Sequence, residues 1–71
     1  MIPEMQYVDS RSLEMVGYDP TEMSLAVMFK GGATYVYAGV PPHLYDQLMA
    51  AESKGAFVNT FIKPAFTVTR L

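Results

Sequence analysis

The chain has no cysteine and no tryptophan, a single histidine, and charge on only 17% of its 71 residues. Without cysteine there is no disulfide, no thiolate metal site and no cysteine nucleophile. His43 cannot build a zinc site alone, because zinc takes several nitrogen or sulfur ligands at close spacing. Asp46 is the carboxylate at helical spacing from it, and one pair is not a site. Following Pro42 at a helix start, His43 reads as a solvated first-turn residue. A Ser-His-Asp triad drawn from Ser10, Ser12 or Ser53 with His43 has no Gly-x-Ser-x-Gly elbow to support it. A hydrolase is therefore not expected, nor any other enzyme, metal or cofactor. The longest apolar run, Leu25 to Phe29, is far too short to span a membrane. The opening Met1-Ile2-Pro3-Glu4 lacks the basic start and apolar stretch of a secretory leader. A cytoplasmic location, away from membranes, is the expectation.

Basic residues are equally scarce. Arg11, Lys30, Lys54, Lys63 and Arg70 stand against seven carboxylates, for a net charge of −2. Duplex DNA binders carry a basic excess that releases counterions from phosphate, so duplex DNA is excluded as a partner. Engaging at most about three phosphates of a single strand corresponds to a salt slope of about −2. That leaves room for an RNA segment or a small nucleotide-like anion held by a local patch.

What is abundant is apolar surface: 51% of residues are hydrophobic, too many for a disordered tail. Residues 5–9 and 13–18 read as short strands, the second closed by the turn signal Asp19-Pro20. Leu25, Val27 and Phe29 alternate with Ala26, Met28 and Lys30, the period of a strand. Residues 33–38, rich in aromatic and β-branched side chains, supply its partner. Two registers are open at the glycine pair between them. A two-residue turn at Gly31-Gly32 sets Met28 opposite Tyr35 and turns the tyrosines away from Leu25, Val27 and Phe29. A three-residue loop with a bulge at Gly32 sets Val27 opposite Tyr35 and Leu25 opposite Tyr37, which gathers the most apolar surface on one side.

Val40-Pro41-Pro42 opens a helix with a buried stripe of Leu44, Leu48 and Ala51 beside Tyr45 and Met49. Ser53-Lys54-Gly55 is read as its stop, with Gly55 as a left-handed cap. A shorter helix follows from Ala56 to Lys63, where Phe57 and Phe61 stack at i, i+4, as do Val58 and Ile62. Pro64 ends it and 66–70 form a last strand. The expected class is α+β: a small antiparallel β-meander covered on one face by a longer and a shorter helix, with a C-terminal strand, in one domain over 1–71.

Candidate binding residues concentrate at 53–63. Ser53 offers a hydroxyl, Lys54 and Lys63 ammonium groups, Gly55 a turn, and Asn59 a carboxamide on an apolar helix. The unpaired N–H groups of a helix start attract anions. Arg11 adds a cation, and Tyr35 and Tyr37 offer rings for stacking bases; the competing reading of the tyrosines is cross-strand packing in the core. Gly31-Gly32 beside Lys30 reads as a hairpin, because a phosphate loop feeds a helix. Glu14, Asp19 and Glu22 read as a solvated edge.

Gly17-Tyr18-Asp19, Leu25-x-Val27-x-Phe29, Gly32, Tyr35-x-Tyr37, Val40-Pro41 and Ser53-x-Gly55-x-Phe57-x-Asn59-x-x-Ile62 closely resemble the KTSC domain. The resemblance runs from about Ser10 to about Phe66. That family is named for the C-terminus of some lysyl-tRNA synthetases and also stands alone in bacterial and phage proteins. It implies a small module for which RNA binding has been suggested from the synthetase context. Two classes of function follow. One is a non-catalytic module for RNA or a small nucleotide-like anion, using Tyr35, Tyr37, Arg11, Ser53, Lys54, Gly55, Asn59 and Lys63. The other is a protein-interaction or inhibitory accessory module, using the adaptable surface of Met5, Met15, Met23, Met28 and Met49. Self-association through an exposed sheet edge, giving a homo-oligomer, fits so small a core.

Overall fold

Alternation of apolar and polar side chains lays the chain down as a sequential antiparallel meander. The computed structural model describes residues 3–71; Met1 and Ile2, the start of the stretch read for a leader, lie outside the described residues. Strands β1 (Met5–Tyr7), β2 (Leu13–Asp19), β3 (Ser24–Phe29), β4 (Thr34–Ala38) and β5 (Thr67–Arg70) form one sheet in the order β1-β2-β3-β4-β5. Helices α1 (Pro42–Ala50) and α2 (Lys54–Phe57) cross between β4 and β5, and α2 runs on into a wider π-helical turn, Val58–Ile62. The class is α+β, as expected.

The hairpin between β3 and β4 takes the bulged register: Leu25 lies opposite Tyr37, and Val27 opposite Tyr35. Phe29 N–H donates to Ala33 O at 2.8 Å and Gly32 N–H to Phe29 O at 2.9 Å, closing a three-residue loop. Gly31 and Gly32 both sit at positive φ, +107° and +102°, where a side chain is strained and glycine is not. This register puts Leu25, Val27, Tyr37, Leu13 and Val16 on one face, against Val40, Leu48, Val58 and Ile62. The core is thus a single layer between sheet and helices.

Proline supplies the first helical position of α1, where its missing donor costs nothing. Leu48 is its fully buried residue, with Leu44, Tyr45 and Met49 packed beside it. Tyr18 stacks on Tyr45 with ring centroids 4.6 Å apart, and its hydroxyl donates to Val40 O at 2.6 Å. That bond ties β2 to the segment that enters α1.

The second helix starts two residues earlier than its pattern suggests. Ser53 is its N-cap, its hydroxyl accepting from Ala56 N–H at 3.3 Å. Gly55 is therefore not a left-handed cap. It is a buried helical residue pressed against Ser12, where a Cβ would collide with the Ser12 hydroxyl oxygen. A glycine needed for close approach and a glycine needed for a turn look alike in sequence. Phe57 and Phe61 do stack, with centroids 4.9 Å apart, and Val58 and Ile62 are buried.

Burial raises the Tyr18 hydroxyl above its ordinary value, with Asp46 and then Asp19 adding to it; burial raises Tyr37 as well, with Tyr35 adding to it. Because these groups hold their protons more tightly folded than unfolded, their contribution is intact below the unfolded tyrosine pKa of about 10 and is lost as pH rises beyond it. Denaturant midpoints are expected to fall above that pH, less so in Tyr18→Phe. Equal slopes in parent and variant would remove Tyr18 from that account.

Candidate functional site

The strand register collects the scarce cations. Leu13 lies opposite Phe29, Met28 opposite Thr34, and Tyr35 opposite Arg70. The start of β2, the β3–β4 loop and the end of β5 therefore share one end of the sheet. Arg11 precedes β2, Lys30 follows β3 and Arg70 closes β5 at that end. Helix α2 brings Lys54 to the same place, where Arg11, Lys30 and Lys54 line one open cleft of about 740 Å³. Lys63 joins them by laying its ammonium 5.3 Å from the centroid of Phe29. All five cations thus gather at one end, whereas Asp19 and Glu22 lie in and beside the β2–β3 turn at the other. Asp46 is also at that far end, near Tyr18.

Three hydroxyls share the cleft, those of Ser10, Ser12 and Ser53, together with the carboxylates of Asp9 and Glu52. Ser10 Oγ accepts from Leu13 N–H at 3.1 Å, and Ser53 Oγ from Ala56 N–H. The Ser10 and Ser53 hydroxyls are thus held in place as acceptors and keep their own protons free to donate to an anion. Lys54 Nζ donates to Ala51 O at 3.4 Å, which steadies the ammonium at the rim. The Gly55–Ser12 contact joins the two walls.

Beside the cleft runs a strip of alternating cations and rings. Lys63 lies over Phe29, Phe29 meets Tyr35 edge-on at 5.7 Å, and the Arg70 guanidinium sits 5.8 Å from the Tyr35 centroid. Tyr35 is half-buried, so part of its ring faces out.

The residues singled out from sequence divide accordingly. Arg11, Ser53 and Lys54 meet at the cleft, Gly55 lies against its wall, and Lys63 and Tyr35 belong to the adjoining strip. Tyr37 does not join them: it is 1% exposed, in the centre of the core, and offers no ring to a base. The register that sets it beside Leu25 also seals it under the helices. Asn59 is exposed on the π-helical turn and does not line the cleft. The anion-attracting helix start is also reduced, since α2 has four residues and Ala56 N–H is already bonded to Ser53. Asp19 is more than a solvated edge, because its Oδ1 accepts from Thr21 N–H at 2.9 Å and shapes the turn. Lys30, Ser10 and Ser12 are cleft residues that sequence reasoning set aside; only the pairing of β2 with β3 brings them beside α2. Among the described residues no three of His, Cys, Asp and Glu could share a metal ion, and no helix is long and apolar enough to cross a membrane.

Residues 9–66 match the family model of the KTSC domain. The chain belongs to the KTSC domain family. A crystal structure of a KTSC domain protein from Yersinia pestis superposes with a TM-score of 0.89 at 36% identity, covering 96% of each chain. A protein of Tsukamurella paurometabola is 54% identical over 94% of this KTSC chain and 100% of its own. A lysine–tRNA ligase of Nostoc punctiforme is 34% identical over 83% of this chain, which there makes up 10% of the protein. The KTSC domain is thus found alone and as a small part of a ligase.

Proposed function

We propose that this KTSC domain is a non-catalytic binding module for a phosphate-bearing nucleotide ligand, single-stranded RNA or a free nucleotide, seated at the cationic end of the sheet. The observation that carries the reading is the gathering of all five cations at one end of a chain whose net charge is −2. Arg11, Lys30 and Lys54 would neutralise phosphate, and Ser10, Ser12 and Ser53 would donate to its oxygens. The Phe29–Tyr35 strip lies where a base next to that phosphate would stack. Relatives named for joining lysine to tRNA support an RNA ligand.

Titration of a short labelled single-stranded RNA, and separately of a nucleoside triphosphate, tests this. The expected log–log slope of RNA affinity against salt is about −2. Arg11→Ala and Lys54→Ala are each expected to weaken binding about 10- to 100-fold, the effect of one charge-assisted hydrogen bond. Tyr35→Ala should weaken RNA and spare the nucleotide if the ring stacks a neighbouring base. No binding of either probe by the parent, or undiminished binding by Lys54→Ala, would defeat the reading.

A second reading, protein interaction, draws on the sheet face that carries no helix. There Met15 lies between Tyr7 and Met28, and Met5 opposite Gly17. Met49 does not belong to it; it packs against the core.

A further inference from the structure

Among the described residues, nothing covers the strand that ends the sheet. All four residues of β5 are exposed, and Val68 and Leu71 are among the exposed large apolar side chains of the molecule. Leu71 N–H donates to Thr34 O at 2.9 Å, and the register continues with Thr69 opposite Val36 and Thr67 opposite Ala38. Antiparallel pairing alternates, so Thr67, Thr69 and Leu71 direct their backbone groups to β4. Val68 and Arg70 direct theirs outward, away from the sheet. Natural edge strands are usually blunted by proline, a bulge or several charges. Here β5 carries a single charge, Arg70, drawn over the Tyr35 ring.

We propose that β5 pairs antiparallel with β5 of a second copy of this chain, joining two five-stranded sheets into one across a twofold axis. The charge and the outward groups select the register. Centring the axis on Arg70 sets two guanidinium-bearing residues directly opposite, which is unfavourable. Centring it on Val68 leaves Arg70 facing Phe66, outside the strand. Centring it on Thr69 sets Val68 opposite Arg70 twice, which satisfies every outward N–H and C=O of both strands. It also brings Thr69 against its symmetry mate, a favourable cross-strand pair. The opposite edge offers less: β1 has three residues and lies between Glu4 and Asp9. Pairing β5 with β1 of another copy would also propagate without closing.

A chain without cysteine makes the register directly measurable. In the Thr69-centred pair the two Thr69 Cα atoms lie about 4.5 Å apart, as in any non-hydrogen-bonded pair, within the range a disulfide spans. Full-length Thr69→Cys is expected to form a disulfide dimer under mild oxidation about tenfold faster than Val68→Cys or Gln6→Cys, whose mates lie farther apart or on the other edge. The parent is expected to shift from monomer to dimer in sedimentation as concentration rises to the millimolar range. Thr69→Lys, with two ammonium groups set opposite, should keep its circular dichroism spectrum and stay monomeric. Crosslinking of Val68→Cys or Gln6→Cys as fast as Thr69→Cys overturns the proposal. So does a parent that stays monomeric throughout, or a Thr69→Lys variant that dimerises like the parent.

Discussion

Tyr37→Ala is expected to lower the unfolding free energy by about 3–5 kcal/mol, the cost of emptying a fully buried aromatic site. Tyr37 is the largest of the fully buried side chains, opposite Leu25 and packed with Val40, Leu48, Val58 and Ile62. A domain of this size holds only about 4–10 kcal/mol of stability, so the variant would lose from about a third to all of it. Tyr35→Ala should cost much less, because that ring is half-buried at the sheet end, between Phe29 and Arg70. Urea denaturation of both variants checks the contrast. Equal losses would mean that the two tyrosines share one environment, against the burial seen here. The pair also separates folding from binding: Tyr35→Ala tests the ligand strip on a folded protein, whereas Tyr37→Ala reports only on the core.

Gly17→Val is expected to cost about 1–3 kcal/mol, the usual penalty for forcing atoms into a filled site. A Cβ at position 17 would lie 2.6 Å from Glu4 O and 2.8 Å from Met5 Sδ. The first is a backbone atom, so relief requires the chain entering β1 to move. β1 holds to β2 through three register pairs and the Val8 N–H bond to Glu14 O at 3.2 Å. Hydrogen exchange at Gln6 and Val8 should therefore accelerate more than exchange at Val27, which sits in the middle of the sheet. Uniform acceleration across the sheet, or none, would show that the glycine is not there for the close approach of Glu4.

The strand meander was readable because period-2 alternation and glycine pairs act locally. The bulged hairpin was the better of two registers on apolar surface alone, and Leu25 indeed faces Tyr37. The helix stripe on Leu44 and Leu48 was equally local. Sequence reasoning misread Gly55 and the start of the second helix, because a serine N-cap and a glycine stop share the motif Ser-Lys-Gly. Ser12, whose hydroxyl explains that glycine, is 43 positions away.

The cleft was only partly legible. Arg11, Ser53 and Lys54 were singled out, whereas Lys30, Ser10 and Ser12 were set aside for want of a local motif. Tyr35 and Tyr37 occupy the same face by periodicity, and nothing in their spacing says that helices seal one and leave the other at the rim. Composition and periodicity by themselves determined the α+β class, the absence of thiol chemistry and the side of each strand that turns inward, since these depend on residue type and on neighbours along the chain. The gathering of five cations at one end, the burial of Tyr37 and the role of Gly55 were decided by tertiary structure alone, because each depends on which distant segments the register and the helix packing bring together.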